Sequence, residues 1–246
     1  MNKTKIFAHR GASGYAPENT LEAFELAIKQ KADGIELDVQ LSKDGIPVVF
    51  HDETLNRVTD GKGYLKDYTL EELKKFTVLK GRFPEYDKAK IPTLKEVLEL
   101  VKPAGIQVNI ELKTGIYWYP EIEKKTIELV NELEMQEKVV YSSFNHYSIQ
   151  KVKEIEPKAE CAYLYSDVIL NVDEYAKKTK VEGLHPAVYH VKMADFLQEY
   201  KKSGLKVRVW TVNEKEDLKV LIQAGITAVI TNYPDVAVEI RKEVTE

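Results

Sequence analysis

Eight short β-branched or apolar runs, each followed by a stretch of helical periodicity, constrain this 246-residue chain more than any other feature. The runs lie near 5 to 9, 34 to 40, 106 to 112, 138 to 143, 160 to 164, 182 to 185, 206 to 211 and 227 to 231. Between them apolar residues recur at helical spacing, as in Ile122, Ile127, Val130 and Leu133, or Leu218, Leu221 and Ile222. A strand-then-helix order favours a parallel sheet, because parallel strands need a long crossover and a helix supplies it. One joint recurs: Gly34-Ile35, Gly105-Ile106, Gly204-Leu205 and Gly225-Ile226 each stand where a helix gives way to a strand. Glycine there is expected to take the left-handed C′ conformation that ends a helix, with the next apolar residue packing back on the last turn.

Eight such units in a chain of this length predict one α/β domain over residues 1–246, a closed (β/α)8 TIM barrel. An open doubly wound sheet fits less well, since no Gly-x-Gly-x-x-Gly follows the first strand. Residues 41 to 92 break the rhythm and form an insertion between the second and third barrel strands. An Asp44-Gly45 turn leads through Val48-Val49-Phe50 to His51, and Thr69 with Glu72 and Thr93 with Glu96 have capping-box spacing. The insertion reads either as a packed cap or as a lid over the site.

A strand turns residues i and i+2 to the same face, so Glu36 and Asp38 point together, as do Asn109, Glu111 and Lys113. His9, Asp38, Glu111, Trp210 and Thr231-Asn232 fall at or just beyond the C-terminal ends of predicted strands, the catalytic rim of such a barrel. The runs around Glu36, Asp38 and Glu111 are otherwise apolar, so these acids are expected inside the barrel, where they need counter-charge. All-oxygen ligation suits one hard divalent cation, Mg²⁺ or Ca²⁺, better than zinc. With His9, His51, Arg10 and Lys113 the set suits metal-assisted phosphodiester chemistry. The alternative is a salt-bridge cluster of the three acids with Arg10, Lys113 and Arg208.

Composition narrows the field. A formal net charge of −4 gives no basic field for nucleic acid, and Cys161, the only cysteine, excludes an intrachain disulfide and reads as a core thiol. No run is long and apolar enough for membrane insertion, and Met1 to Lys5 lead into Ile6 without a signal-peptide core. A cytoplasmic protein acting on a small-molecule substrate is the expectation, and no motif signals an oligomeric state.

The motifs resemble, in order, the bacterial glycerophosphodiester phosphodiesterase family, which shares its barrel with phosphatidylinositol-specific phospholipases C. The matching segments are His9-Arg10-Gly11 with Pro17-Glu18-Asn19-Thr20, Glu36-Leu37-Asp38-Val39, and His51-Asp52 with Leu55-Asn56-Arg57. They continue with Glu111-Leu112-Lys113, Trp210-Thr211-Val212-Asn213 and Thr231-Asn232-Tyr233-Pro234-Asp235. The similarity spans practically the whole chain and departs at no catalytic position. It implies hydrolysis of diesters such as glycerophosphocholine or glycerophosphoethanolamine to sn-glycerol 3-phosphate and an alcohol. By the same resemblance His9 and His51 are the acid and base, Glu36, Asp38 and Glu111 the metal ligands, and Arg10 and Lys113 the phosphate holders.

Histidine suits both proton roles because its ordinary pKa lies near working pH. Trp210 is expected to wall the substrate pocket, and Arg208, deeper on the same strand, to be a structural counter-ion. Asn19 either reaches the site or caps the helix begun by Asn19-x-x-Glu22. His185 or His190 is expected near the mouth, Asn232 as support, and His146 as a surface residue at a helix start. Two other functions compete: lysophospholipase D action on lysophospholipids, and an inactive phosphodiester-binding barrel, whose expected mark, a lost histidine or acid, is missing.

Overall fold

The computed structural model describes residues 3–78 and 83–245, so part of the insertion, 79–82, and the terminal residues lie outside the described residues. Eight parallel strands close a barrel: β1 (Lys5–His9), β2 (Gly34–Leu41), β4 (Gln107–Leu112), β5 (Val139–Ser143), β6 (Glu160–Tyr165), β7 (Gly183–Pro186), β8 (Lys206–Val209) and β9 (Ala228–Thr231). Each pairs with the next in parallel, and β1 closes the ring by pairing with both β2 and β9. The ninth strand, β3 (Pro47–Val49), lies antiparallel on β2 and opens the insertion. The helices between strands are α1 (Leu21–Lys29), α3 (Leu94–Val101), α4 (Ile122–Glu132), α5 (His146–Ile155), α6 (Val172–Lys178), α7 (Phe196–Lys202), α8 (Lys215–Ala224) and α9 (Pro234–Thr245), with a short α2 (Leu70–Leu73) in the insertion.

Strand alternation sorts the side chains. Ile6, Ala8, Ile35, Leu37, Val39, Val108, Ile110 and Leu112 join the main core with helix residues such as Phe24, Val97 and Ile127. Their neighbours Phe7, Glu36, Asp38, Asn109 and Glu111 therefore turn to the barrel interior. Below the rim that interior holds a buried polar layer. Arg208 pairs with Glu160, lies over the Phe7 ring at 5.9 Å, and approaches His185 Nε2 at 3.4 Å. Arg208 is thus a structural counter-ion, but to Glu160 and not to the three acids.

Three of the four glycine joints behave as predicted, with Gly105, Gly204 and Gly225 at φ of 66°, 76° and 68°. Gly34 does not: it is the first residue of β2, and Lys31 takes the left-handed conformation after α1 at φ 62°. Gly34 is small for a different reason, since a Cβ there would meet the Phe7 ring at 2.8 Å and the Gln107 carbonyl at 2.9 Å.

Both predicted capping boxes form, on α2 and α3. The insertion gathers its own core of Val48, Phe50, Leu55, Leu65, Leu73, Val78, Ala89 and Ile91. β3 joins this cluster to the barrel through its pairing with β2. No helix among the described residues is long and apolar enough to cross a membrane.

Candidate active site

The two histidines reach one cavity from different directions. His9 ends β1, and Arg10 turns left-handed at φ 55°, followed by Gly11 at φ 80°. Any Cβ at Gly11 would strike the Ala23 backbone 2.7 Å away, so this tight turn against α1 needs glycine. His51 follows β3, and its loop is tied down by the buried Gln40 amide, which donates to the carbonyls of Phe50, His51 and Asp52 at 2.9, 3.2 and 2.7 Å. Together with Arg10, Glu36, Asn109, Glu111, Phe144, Leu164, Trp210 and Ile230, the histidines line a cavity of about 200 Å³. A larger surface hollow of about 640 Å³ between the loop before α6 and α7 contains no histidine.

Each imidazole has one nitrogen already committed. His9 Nδ1 lies 2.7 Å from Asn232 Oδ1, and because an amide oxygen only accepts, the hydrogen sits on Nδ1 and Nε2 keeps its lone pair. Burial, then the Arg10 charge, lowers the His9 pKa to about 4. His51 Nδ1 lies 2.6 Å from Asp52 Oδ1, a carboxylate oxygen that accepts its hydrogen. Burial works against the Asp52 charge, but hydrogen bonds from His51 and Arg57 hold its carboxyl well below the ordinary range.

Glu36, Asp38 and Glu111 converge, with one oxygen from each within 4.8 Å of the others. All three are buried. Burial and the neighbouring acids push Glu36 well above the ordinary carboxylate range, and burial raises Glu111 although Lys113 opposes it. Asp38 goes the other way: burial disfavours its charge, but Arg10, Lys113 and His51 more than compensate. Arg10 Nε is 3.3 Å and Lys113 Nζ 3.7 Å from Asp38, while Lys113 also reaches Glu111 at 2.9 Å. Asp38 Oδ1 is buried without a hydrogen-bond partner. Three clustered carboxyls with an unmet oxygen are a donor set that could hold a metal ion.

Asn19 belongs to this cluster. Its amide donates to Asp38 Oδ2 at 2.8 Å, with the backbone at φ 58°, whereas Thr20 caps α1 by accepting from the Ala23 amide. Trp210 lines the cavity, stacks edge-on with Phe144 at 5.5 Å, and donates its indole hydrogen to the His185 carbonyl at 2.8 Å. His185 itself does not reach the mouth. Its ring is fully buried beside Arg208, so only its backbone supports the site. His190 is also buried and bonded to the Ser166 carbonyl, and His146 begins α5 as expected, half-buried with its ring stacked on Tyr163 at 4.1 Å.

Several participants carried no role in the sequence reading. Arg57 donates to both Asp52 oxygens and both Glu18 oxygens at 2.7 to 2.9 Å, and Glu18 accepts from Arg10 at 2.8 Å. His51, Asp52, Arg57, Glu18, Arg10 and Asp38 therefore form one chain of contacts that joins the insertion to the barrel. Asn213 accepts from the Asn232 amide at 2.9 Å and so fixes the residue behind His9. Glu18, Arg57 and Asn213 all sit in the matched motifs, which was the available signal, and Phe144 directly follows a predicted strand.

The glycerophosphoryl diester phosphodiesterase family model matches residues 9–236. A glycerophosphodiester phosphodiesterase of Caldanaerobacter subterraneus subsp. tengcongensis is 42% identical over 238 residues, 97% of this chain and 98% of that one. One from Bacillus altitudinis is 44% identical over 245 residues, covering 98% and 99%. Among solved structures, an Oleispira antarctica phosphodiesterase in complex with the product sn-glycerol-3-phosphate superposes with a TM-score of 0.91, at 32% identity, covering 98% of this chain and 97% of that one. Architecture, site and sequence agree, and the chain belongs to the glycerophosphoryl diester phosphodiesterase family.

Proposed function

We propose that this protein hydrolyses small glycerophosphodiesters, such as glycerophosphocholine or glycerophosphoethanolamine, to sn-glycerol 3-phosphate and the free alcohol. The whole chain would act as one barrel domain, with the insertion as one wall of the site. The observation that carries the reading is the pair of imidazoles, His9 held against Asn232 and His51 against Asp52, at one cavity beside three clustered acids. The Oleispira antarctica relative, solved with sn-glycerol-3-phosphate, supports the choice of product.

Glu36, Asp38 and Glu111 would hold Mg²⁺ or Ca²⁺, which when bound supplies positive charge to substrate oxygens and makes a hydroxyl more acidic. Arg10 and Lys113 hold the phosphate oxygens, Trp210 walls the glycerol side, and Asn19 and Asn232 fix Asp38 and His9. His9, neutral at working pH with Nε2 free, takes the proton from the glycerol hydroxyl beside the phosphoester. That oxygen attacks phosphorus while His51, oriented by Asp52, passes a proton to the departing alcohol oxygen. The cyclic phosphate is then opened by water, with His51 accepting the water's proton and His9 returning one to the hydroxyl oxygen. The test is incubation of purified protein with glycerophosphocholine, following sn-glycerol 3-phosphate and choline with and without chelator. Equimolar, chelator-sensitive release is expected, and intact substrate in excess metal refutes the reading.

A second reading keeps this chemistry on lysophospholipids. Exposed apolar residues stand on consecutive loops of the catalytic face, namely Ile116 and Trp118 after β4, Phe144 after β5, Leu170 after β6, and Tyr189 and Met193 after β7. Phe144 also lines the cavity, so an acyl chain leaving the site would meet this surface. A kcat/KM for lysophosphatidylcholine above that for glycerophosphocholine would favour it.

A further inference from the structure

Asn109 lies on β4, two residues before Glu111 on the same interior face, and its register partner on β2 is Glu36. It is 1% exposed and lines the cavity. Its Nδ2 donates to Ser142 Oγ at 3.0 Å, which fixes the amide, and its Oδ1 has no hydrogen-bond partner. A buried acceptor without a donor is costly, and one that lines a cavity is open to completion by what binds there, whether water, ion or ligand.

No side chain lining the cavity donates to this oxygen in the structure. With the acids ionised, as a bound cation requires, Glu36 and Glu111 only accept. Arg10 Nη1 goes to Glu18 and Lys113 Nζ to Glu111, and in the proposed complex both cations are also claimed by the phosphate. The Trp210 indole hydrogen goes to the His185 carbonyl, and Phe144, Leu164 and Ile230 carry none. A phosphodiester group has acceptors but no donor, so of the proposed substrate's common part only the glycerol hydroxyls can supply one.

We propose that Asn109 Oδ1 accepts a hydrogen bond from a hydroxyl of the glycerol moiety and makes the site selective for hydroxyl-bearing phosphoesters. This rests on the glycerophosphodiester reading above. Asn109 is two residues deeper on β4 than Glu111, and it lines the same cavity as Trp210 and Phe144.

The experiment compares the binding of sn-glycerol 3-phosphate and propyl phosphate, which has the same carbons and phosphate but no hydroxyl. Calorimetry at saturating Mg²⁺ is run on wild type, Asn109→Leu and Asn109→Ala. The wild type should prefer sn-glycerol 3-phosphate, and both variants should lose about 10-fold or more of that affinity with propyl phosphate binding unchanged. The affinity ratio of the two ligands is read on folded protein only, so partial unfolding of one variant cannot imitate the result. A ratio unchanged in both variants overturns the assignment, as does a wild type without preference. Weakened Mg²⁺ binding with the ratio intact also overturns it and gives the oxygen to the cation. A wild type that binds sn-glycerol 3-phosphate yet leaves glycerophosphocholine intact refutes the hydrolase reading separately.

Discussion

Replacing Glu36 by Gln should make the metal-free protein more stable and the metal-loaded protein less so. One oxygen from each of Glu36, Asp38 and Glu111 lies within 4.8 Å of the others. At that spacing two unit charges in a medium of effective dielectric 20 repel by about 3.5 kcal/mol, and Glu36 faces two of them. The Arg10 backbone N–H, 3.1 Å from Glu36 Oε2, and the Arg10 guanidinium offset part of this, yet the Glu36 carboxyl is still pushed well above its ordinary range. Gln keeps an oxygen for the Arg10 N–H and removes the charge. The expected gain in chelator at pH 8 is about 1 to 3 kcal/mol, or roughly 2 to 10 °C in Tm for a chain of this size. Because the folded-state pKa is raised, native Glu36 holds its proton longer than the unfolded chain. Wild-type stability is therefore lost as pH rises from about 4.5 through the raised value, and the variant's advantage grows over that window and is absent below it. A cation at about 1,000 times its Kd adds about 4 kcal/mol to the wild type, which the variant largely forgoes. Thermal melts with chelator and with excess Mg²⁺ or Ca²⁺ should show the order of the two proteins reversing. A variant less stable in chelator, or stabilised by metal as much as wild type, would refute the argument.

Four further outcomes follow from the same geometry. His9→Ala and His51→Ala should each lower kcat by about 10² to 10⁴-fold while calorimetry shows metal affinity little changed. The acid side of the kcat/KM profile should fall as pH drops through about 4, where His9 gains a proton; Arg10→Met removes one cause of that depression and should move the midpoint upward. Arg57→Met cuts the ties to Asp52 and Glu18 and should cost about 10 to 100-fold in kcat with a near-normal Tm, and Arg57→Lys should rescue only part because it lacks the fork that spans both acids. Gly34→Ala forces a methyl into the Phe7 ring and the Gln107 carbonyl, and denaturant titration should record a loss of about 1 to 3 kcal/mol.

Much of this was legible in the sequence because two periodicities dominate it. Alternation along the β-branched runs located all eight barrel strands, and the i, i+2 rule put Glu36 with Asp38 and Asn109 with Glu111 inside the barrel, where they lie. Features that depend on long-range partners were not legible. Asn19 had a helix-cap spacing, but Asp38 claims its amide and Thr20 caps instead. Gly34 looked like a helix terminator because its neighbour in space, Phe7, is 27 residues away in sequence. Arg57 bridges to Glu18 across 39 residues, which no local pattern encodes. His185 was placed by nearness to a strand end, whereas packing against Arg208 fixed where its ring went; His146 does begin α5, and its ring stacks on Tyr163.

The central claim is displacement at phosphorus, with His51 protonating the departing alcohol. Hydrolysis of glycerophosphocholine in ¹⁸O-labelled water, followed by mass spectrometry of both products, tests it most directly. The account predicts one ¹⁸O in sn-glycerol 3-phosphate and none in choline; label in choline would mean that the carbon–oxygen bond breaks and would contradict it.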